Sequence, residues 1–208
     1  MSNEYNIKAP FFPYDEIRNH ADHFLKQYHP CREIPIPIEE IAEFQMGLNI
    51  VPIPGLLRAF DVDGFTSSDL SNIYVDEFTY SDRPGRYRFT LAHEIGHIIL
   101  HKEIYSKANF RNIKEWKDFI NSISEKDHGW LEYQAYSFGG LVLVPREHLI
   151  KLTEFYVNRV QKEDISLREN WDFAWDLIAA QLAKDFEVSP DVIEKRLNKD
   201  RVMEMYRG

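Results

Sequence analysis

The pentapeptide His93-Glu94-Ile95-Gly96-His97 constrains this chain more than any other part of it. It matches H-E-x-x-H, and the apolar Phe89, Leu91, Ile95, Ile98, Ile99 and Leu100 around it predict a helix that sits inside a core. On a helix, positions four apart stack along one face, so His93 and His97 can offer two imidazoles to one metal ion while Glu94 lies beside them. Imidazoles inside a core need polar partners, and a metal satisfies both at once. The competing reading is two satisfied core histidines next to a chance glutamate. The helical context that the motif requires favours the metal, and zinc hydrolases use this arrangement.

Two imidazoles are too few for a catalytic zinc, which takes three protein ligands and keeps a fourth position for water. His101 has the right spacing beyond His97, but a straight helical ladder 93-97-101 spans about 12 Å, far more than a metal–nitrogen bond of about 2 Å can bridge. It ligates only if the helix bends back, and otherwise packs or hydrogen-bonds behind the ligands near the helix end. Glu132, brought by a second helix crossing the first, is the preferred third ligand. Against this stands the usual fate of a glutamate, which is to face solvent.

Composition narrows the setting. The 208 residues are 44% hydrophobic, enough to bury a core in one domain, or one domain with an appended lobe. Asp and Glu number 34 against 25 Lys and Arg, so the net charge of −9 gives no basic field and argues against nucleic acid as a direct partner. The single Cys31 excludes an intramolecular disulfide and is expected to be a small buried hydrophobe. No apolar run approaches the roughly 18 residues of a membrane span, and the N-terminus carries no hydrophobic signal segment. A reducing cytoplasm is the expected compartment.

In chain order, Tyr14 to Tyr28 predicts an amphipathic helix ended by Pro30, and a second helix is expected from Pro37 to about Phe44. Residues 50–53, 56–62 and 70–76 predict a small antiparallel or mixed sheet of about three strands just before the metal helix, with Pro52 placing the first at an edge. An edge of such a sheet accepts an extended peptide. The rest reads as helices: residues 114–124, a polar break at residues 125–129, then 130–143, 146–157 and 173–186. Residues 166–170 are a less certain join. Ser189-Pro190 caps a last helix through Leu197.

These residues together resemble the ImmA/IrrE-type zinc metallopeptidases. The likeness rests on Arg88-Phe89-Thr90-Leu91-Ala92-His93-Glu94-Ile95-Gly96-His97 followed by Leu100-His101. It rests also on Glu132-x-x-Ala135-x-x-Phe138-x-x-Leu141-x-x-x-Pro145, the Pro37 to Ile53 passage, and the late Leu182-Ala183, Phe186, Val188-Ser189 and Arg196-Leu197. It covers residues 35–198, with Tyr136 and Gly139-Gly140 departing from the usual pattern. The resemblance implies an α+β, zincin-like fold in which the small sheet packs against a helical H-E-x-x-H core, with a mostly helical C-terminal half. It divides the chain into an N-terminal helical arm, residues 1–34, and a metallopeptidase domain, residues 35–208. It implies His93, His97 and Glu132 as ligands of one Zn2+ per chain and Glu94 as catalytic base. The implied activity is intracellular endopeptidase cleavage of a helix-turn-helix transcriptional repressor. The alternative is a non-proteolytic module that binds or senses a regulator and sequesters it.

Overall fold

The computed structural model describes residues 7–163 and 170–206. Their order is α1 (Tyr14–Tyr28), α2 (Ile38–Glu40) running on into a π turn (Ile41–Gln45), β1 (Asn49–Ile53), α3 (Leu56–Phe60), β2 (Gly64–Thr66), β3 (Asn72–Asp76) and α4 (Glu77–Asp82). Then come α5 (Pro84–Leu100), α6 (Lys102–Tyr105), α7 (Ile113–Ser122), α8 (Glu125–Leu143), α9 (Arg146–Lys162), α10 (Trp171–Phe186), α11 (Pro190–Lys199) and a 3-10 turn (Met203–Tyr206). This is a helix-rich α+β architecture with a small mixed sheet. The strand order is β1-β3-β2, with β1 parallel and β2 antiparallel to β3.

Pro52 lies on an edge strand, as its missing N–H requires. The expected strand over residues 56–62 is instead the short helix α3. Left-handed Gly55 (φ 70°) and Asp61 (φ 57°) bound it, and the Asp76 carboxylate accepts from the Leu57 backbone N–H. Leu56, Leu57, Arg58 and Ala59 are good helix formers, and local propensity prevails over an apolar run. The strand falls on residues 64–66 instead. Any Cβ at Gly64 would stand 2.8 Å from the Tyr74 carbonyl oxygen, so only glycine lets β2 approach β3 there.

A second correction concerns residues 125–129. These are the first turns of α8 rather than a break, because Ser124 caps the helix by accepting from the Asp127 N–H. Cys31 is a third. It is exposed in the turn after α1, with its sulfur 3.5 Å from His29 Nε2. The join over residues 166–170 lies, apart from Asn170, outside the described residues. The last helix starts as its cap requires, with Ser189 Oγ accepting from the Val192 N–H and Pro190 in the first turn.

The main core joins α1, α5, α8, α9, α10 and α11 through Ile17, Ile95, Phe138, Leu149, Phe186 and Ile193, all fully buried. A smaller core of Leu56, Phe65, Phe110, Phe119 and Leu131 lies under α7 and the sheet. Buried Arg196 ties α11 to the rest. Its guanidinium donates to the Val144 carbonyl at 3.1 Å and to the Tyr14 hydroxyl, and pairs with Asp200 at 2.7 Å.

The crossing of α5 and α8 is unusually close. A Cβ on Gly96 would meet the Ala135 Cα and carbonyl oxygen at 3.0 Å, and one on Gly139 would meet the His93 backbone nitrogen at 3.2 Å. Backbone atoms cannot step aside as side chains do. Gly96→Ala is therefore expected to cost about 1–3 kcal/mol by overpacking. Gly129→Ala, on the same α8 with open space around it, should gain up to about 1 kcal/mol from helix propensity. Urea unfolding of the two variants measures both signs, and a Gly96→Ala protein as stable as the parent would refute the tight crossing.

Candidate metal centre

The crossing places one carboxylate of α8 against two imidazoles of α5. His93 and His97 stand one turn apart with their Nε2 atoms 3.0 Å from each other. Glu132 Oε2 lies 3.2 Å from His93 Nε2, and Oε1 lies 3.4 Å from His97 Nε2. Among the described residues this is the cluster of His, Cys, Asp or Glu side chains able to hold a metal ion. Ligands bound about 2.0–2.1 Å from a tetrahedral zinc stand about 3.3 Å apart. The observed spacings bracket that value, and two imidazoles with one carboxylate are an established zinc donor set. The residues present therefore fit the ion.

The remaining sequence candidates fall around this point. Glu94 is buried beside the histidines, and its Oε2 accepts a 2.9 Å hydrogen bond from Thr66 Oγ1 on β2. His101 lies just past the end of α5, its N–H donating to the His97 carbonyl. Its Nδ1 is 2.9 Å from His97 Nδ1, the nitrogen on the opposite side of the ring from Glu132. It packs behind the cluster.

Sequence reasoning missed three residues here. Thr66 carries no signal in a three-residue strand. His128, whose Nε2 is 3.5 Å from Glu132 Oε1, was legible as a partner four residues before Glu132 once α8 is seen to begin at the Ser124 cap. Tyr105 is buried with its ring against His97, and it lines the cleft that the cluster faces. No spacing rule links it to the motif.

Charge is distributed unevenly. Burial opposes ionisation of Glu132, yet hydrogen bonds from His128, His93 and His97 overcome it and hold the carboxyl far below the usual carboxylate range. Burial works against a charged His93, but contact with Glu132 more than offsets it and raises its pKa. Burial, helped by neighbouring His97, pushes His101 down to about 3, so that ring is neutral near pH 7. The Tyr105 hydroxyl is pushed well above its ordinary range by burial and by Glu94 and Glu132, and stays protonated.

The cluster opens into a cleft of about 840 Å³ whose walls include Asp63, Gly64, Trp116, His128 and Asp191. A second cavity of about 620 Å³ meets it at His93 and Glu132 and is lined by Tyr14, Tyr133, Tyr136, Lys195 and Lys199. Among the described residues no helix is long and apolar enough to cross a membrane.

A metal competes with protons for a neutral imidazole. Because the pKa of His93 is raised above 6.5 in the metal-free protein, zinc affinity should already fall as pH drops through the neutral range, by about tenfold per unit for one displaced proton. It should level off only above that raised pKa. Competition with a chelator at stepped pH measures this, and an affinity unchanged between pH 8 and 6 would contradict it.

No curated protein sequence matches the chain. Among solved structures it is similar to a Mycobacterium tuberculosis transcriptional regulator, at 14% sequence identity and a TM-score of 0.49, over 89% of this chain and 52% of that one. The chain thus spans about half the length of that protein. A family model described as the IrrE N-terminal-like domain, a peptidase family, matches residues 59–198. That span holds the motif helix, Thr66, Glu132 and both helices of the close crossing, and the chain belongs to this family.

Proposed function

We propose that the protein is an intracellular zinc endopeptidase of zincin-like design that cuts a helix-turn-helix transcriptional repressor and so relieves repression. The observation that carries this is the convergence of His93, His97 and Glu132 at tetrahedral spacing with Glu94 buried beside them at the floor of an open cleft. The repressor as substrate follows from the family resemblance of the two motif helices. Among the described residues adjacent β2 pairs only with β3, which leaves its other edge without a strand partner, and Gly64 of that strand lines the cleft. An extended substrate segment gains backbone hydrogen bonds from such an edge, with side-chain selectivity supplied by the cleft walls.

When bound, a zinc ion supplies Lewis acidity that polarises the scissile carbonyl and acidifies the attacking water. His93, His97 and Glu132 would hold it. Thr66 occupies Oε2 of Glu94, leaving Oε1 as the acceptor of the water proton, and Glu94 then returns that proton to the leaving amine. The flanking apolar and aromatic walls of Trp116, Tyr105 and Phe89 restrict water around the reacting atoms.

Incubating the zinc-loaded protein with its candidate repressor and reading fragments by intact mass tests the proposal. Glu94→Gln should keep zinc and repressor binding while abolishing cleavage, since it removes proton acceptance without touching a ligand. Equal cleavage by a verified zinc-loaded Glu94→Gln protein would sink the mechanism. Tight binding without cleavage by either protein would favour sequestration instead. A milder variant separates positioning from ligation. Thr66→Val should retain one zinc per chain and lose about tenfold in turnover, equivalent to ~1.4 kcal/mol of transition-state stabilisation. Unchanged turnover would remove Thr66 from the machinery.

A further inference from the structure

The N-terminal arm, which lies before the residues matched by the family model, touches the metal centre through a continuous line of hydrogen bonds. The Pro10 carbonyl accepts from Gln134 Nε2 at 2.6 Å, Gln134 Oε1 lies 2.9 Å from His101 Nε2, and His101 Nδ1 lies 2.9 Å from His97 Nδ1. Gln134, His101 and His97 are all buried. The arm is seated on α8 at two further points: the Ala9 N–H donates to Asp127 Oδ1 at 3.0 Å, and Phe11 meets Trp130 edge-on.

The chemistry of each group fixes the direction of every proton in this line. A peptide carbonyl only accepts, so the Gln134 amide must face Pro10 with its NH₂ and present Oε1 to His101. That oxygen also only accepts, so His101 carries its proton on Nε2. A second proton on His101 would bury a cation whose hydrogen-bond partners are an imidazole and an amide, with no carboxylate to balance it. His101 Nδ1 is therefore bare and must accept from His97 Nδ1–H. His97 Nε2 is then left with a free lone pair, and Nε2 is the nitrogen that faces His93 and Glu132.

We infer that the Pro10 carbonyl, acting through Gln134 and His101, holds His97 in the tautomer whose Nε2 lone pair is presented to the metal. His101 and Gln134 are positioning residues. The inference rests on the metal reading above and adds to it a role for the arm: zinc affinity depends on a segment that supplies no ligand. An acceptor behind a ligating imidazole orients its ring and raises its basicity.

Zinc dissociation constants from chelator competition, together with tautomer assignment by long-range proton–nitrogen NMR, test it without reference to activity. His101→Leu and Gln134→Leu, verified as folded by circular dichroism, should each bind zinc about 10–100-fold more weakly than wild type. His101→Asn, whose side-chain oxygen can take the place of Nδ1 as acceptor, should recover most of that loss. In the metal-free wild-type protein at a pH where imidazoles are neutral, His97 should carry its proton on Nδ1. That readout needs no variant and decides the matter if His101→Leu does not fold. A His97 proton on Nε2, or folded leucine variants with wild-type zinc affinity, would overturn the relay alone. A wild-type protein that takes up no zinc would overturn the metal centre and the relay with it.

Discussion

Everything at the centre of this protein depends on how closely α5 and α8 cross. Ligands to one tetrahedral ion must stand about 3.3 Å apart, and side chains from two helices reach that spacing only if the backbones approach. Glycine supplies the room on both sides: Gly96 lies against Ala135, and Gly139 against Ala92 and the His93 nitrogen. Gly96 directly precedes His97 in the chain, and the Gly139 contact touches His93 itself. Packing and the spacing of the three candidate ligands are thus set by the same few atoms, and the glycine of H-E-x-x-H is a packing residue as much as a spacer.

Close approach brings polar groups together at the floor of the cleft, and those that are buried need a partner there. The protein meets this need with chains of donors and acceptors that run outward from the cluster. Thr66 serves Glu94 from the sheet, His128 serves Glu132 from the preceding turn of α8, and His101 serves His97 from the end of α5. Each supporting group comes from a different direction. Such networks are rigid when every member is satisfied and costly when one is missing. A buried ion pair elsewhere follows the same logic, with Asp200 receiving both Arg196 and Arg18 where α11 meets α1.

Much of this was legible in the sequence because helical periodicity carries it. Residues 93, 97 and 132 come together as their spacing and flanking apolar stripes suggest, α1 has the bounds its pattern predicts, and Ser189-Pro190 opens α11. What the sequence did not reveal depends on tertiary context. Residues 56–62 are apolar enough for a strand, but left-handed Gly55 and Asp61 and the reach of Asp76 make a helix there. The polar residues 125–129 lack an apolar stripe, so only the Ser124 cap marks them as helix and sets His128 one turn before Glu132. Thr66 belongs to a strand too short to show alternation, and its contact with Glu94 spans 28 positions in the chain. Cys31 was expected inside because cysteines usually are, whereas its place in the turn after α1 leaves it in solvent.

The sheet is asymmetric in a way that bears on self-association. Its two outer strands are β1 and β2, and an unpaired strand edge is a template on which another copy of the chain can add and polymerise. Pro52 in β1 deprives that strand of one donor and makes it a poor template. β2 is only three residues long, is buried on its faces, and starts in the wall of the cleft beside Asp63 rather than on a flat surface. Both outer strands of this sheet are thus poor templates for fibril growth, one through its proline and the other through its shortness.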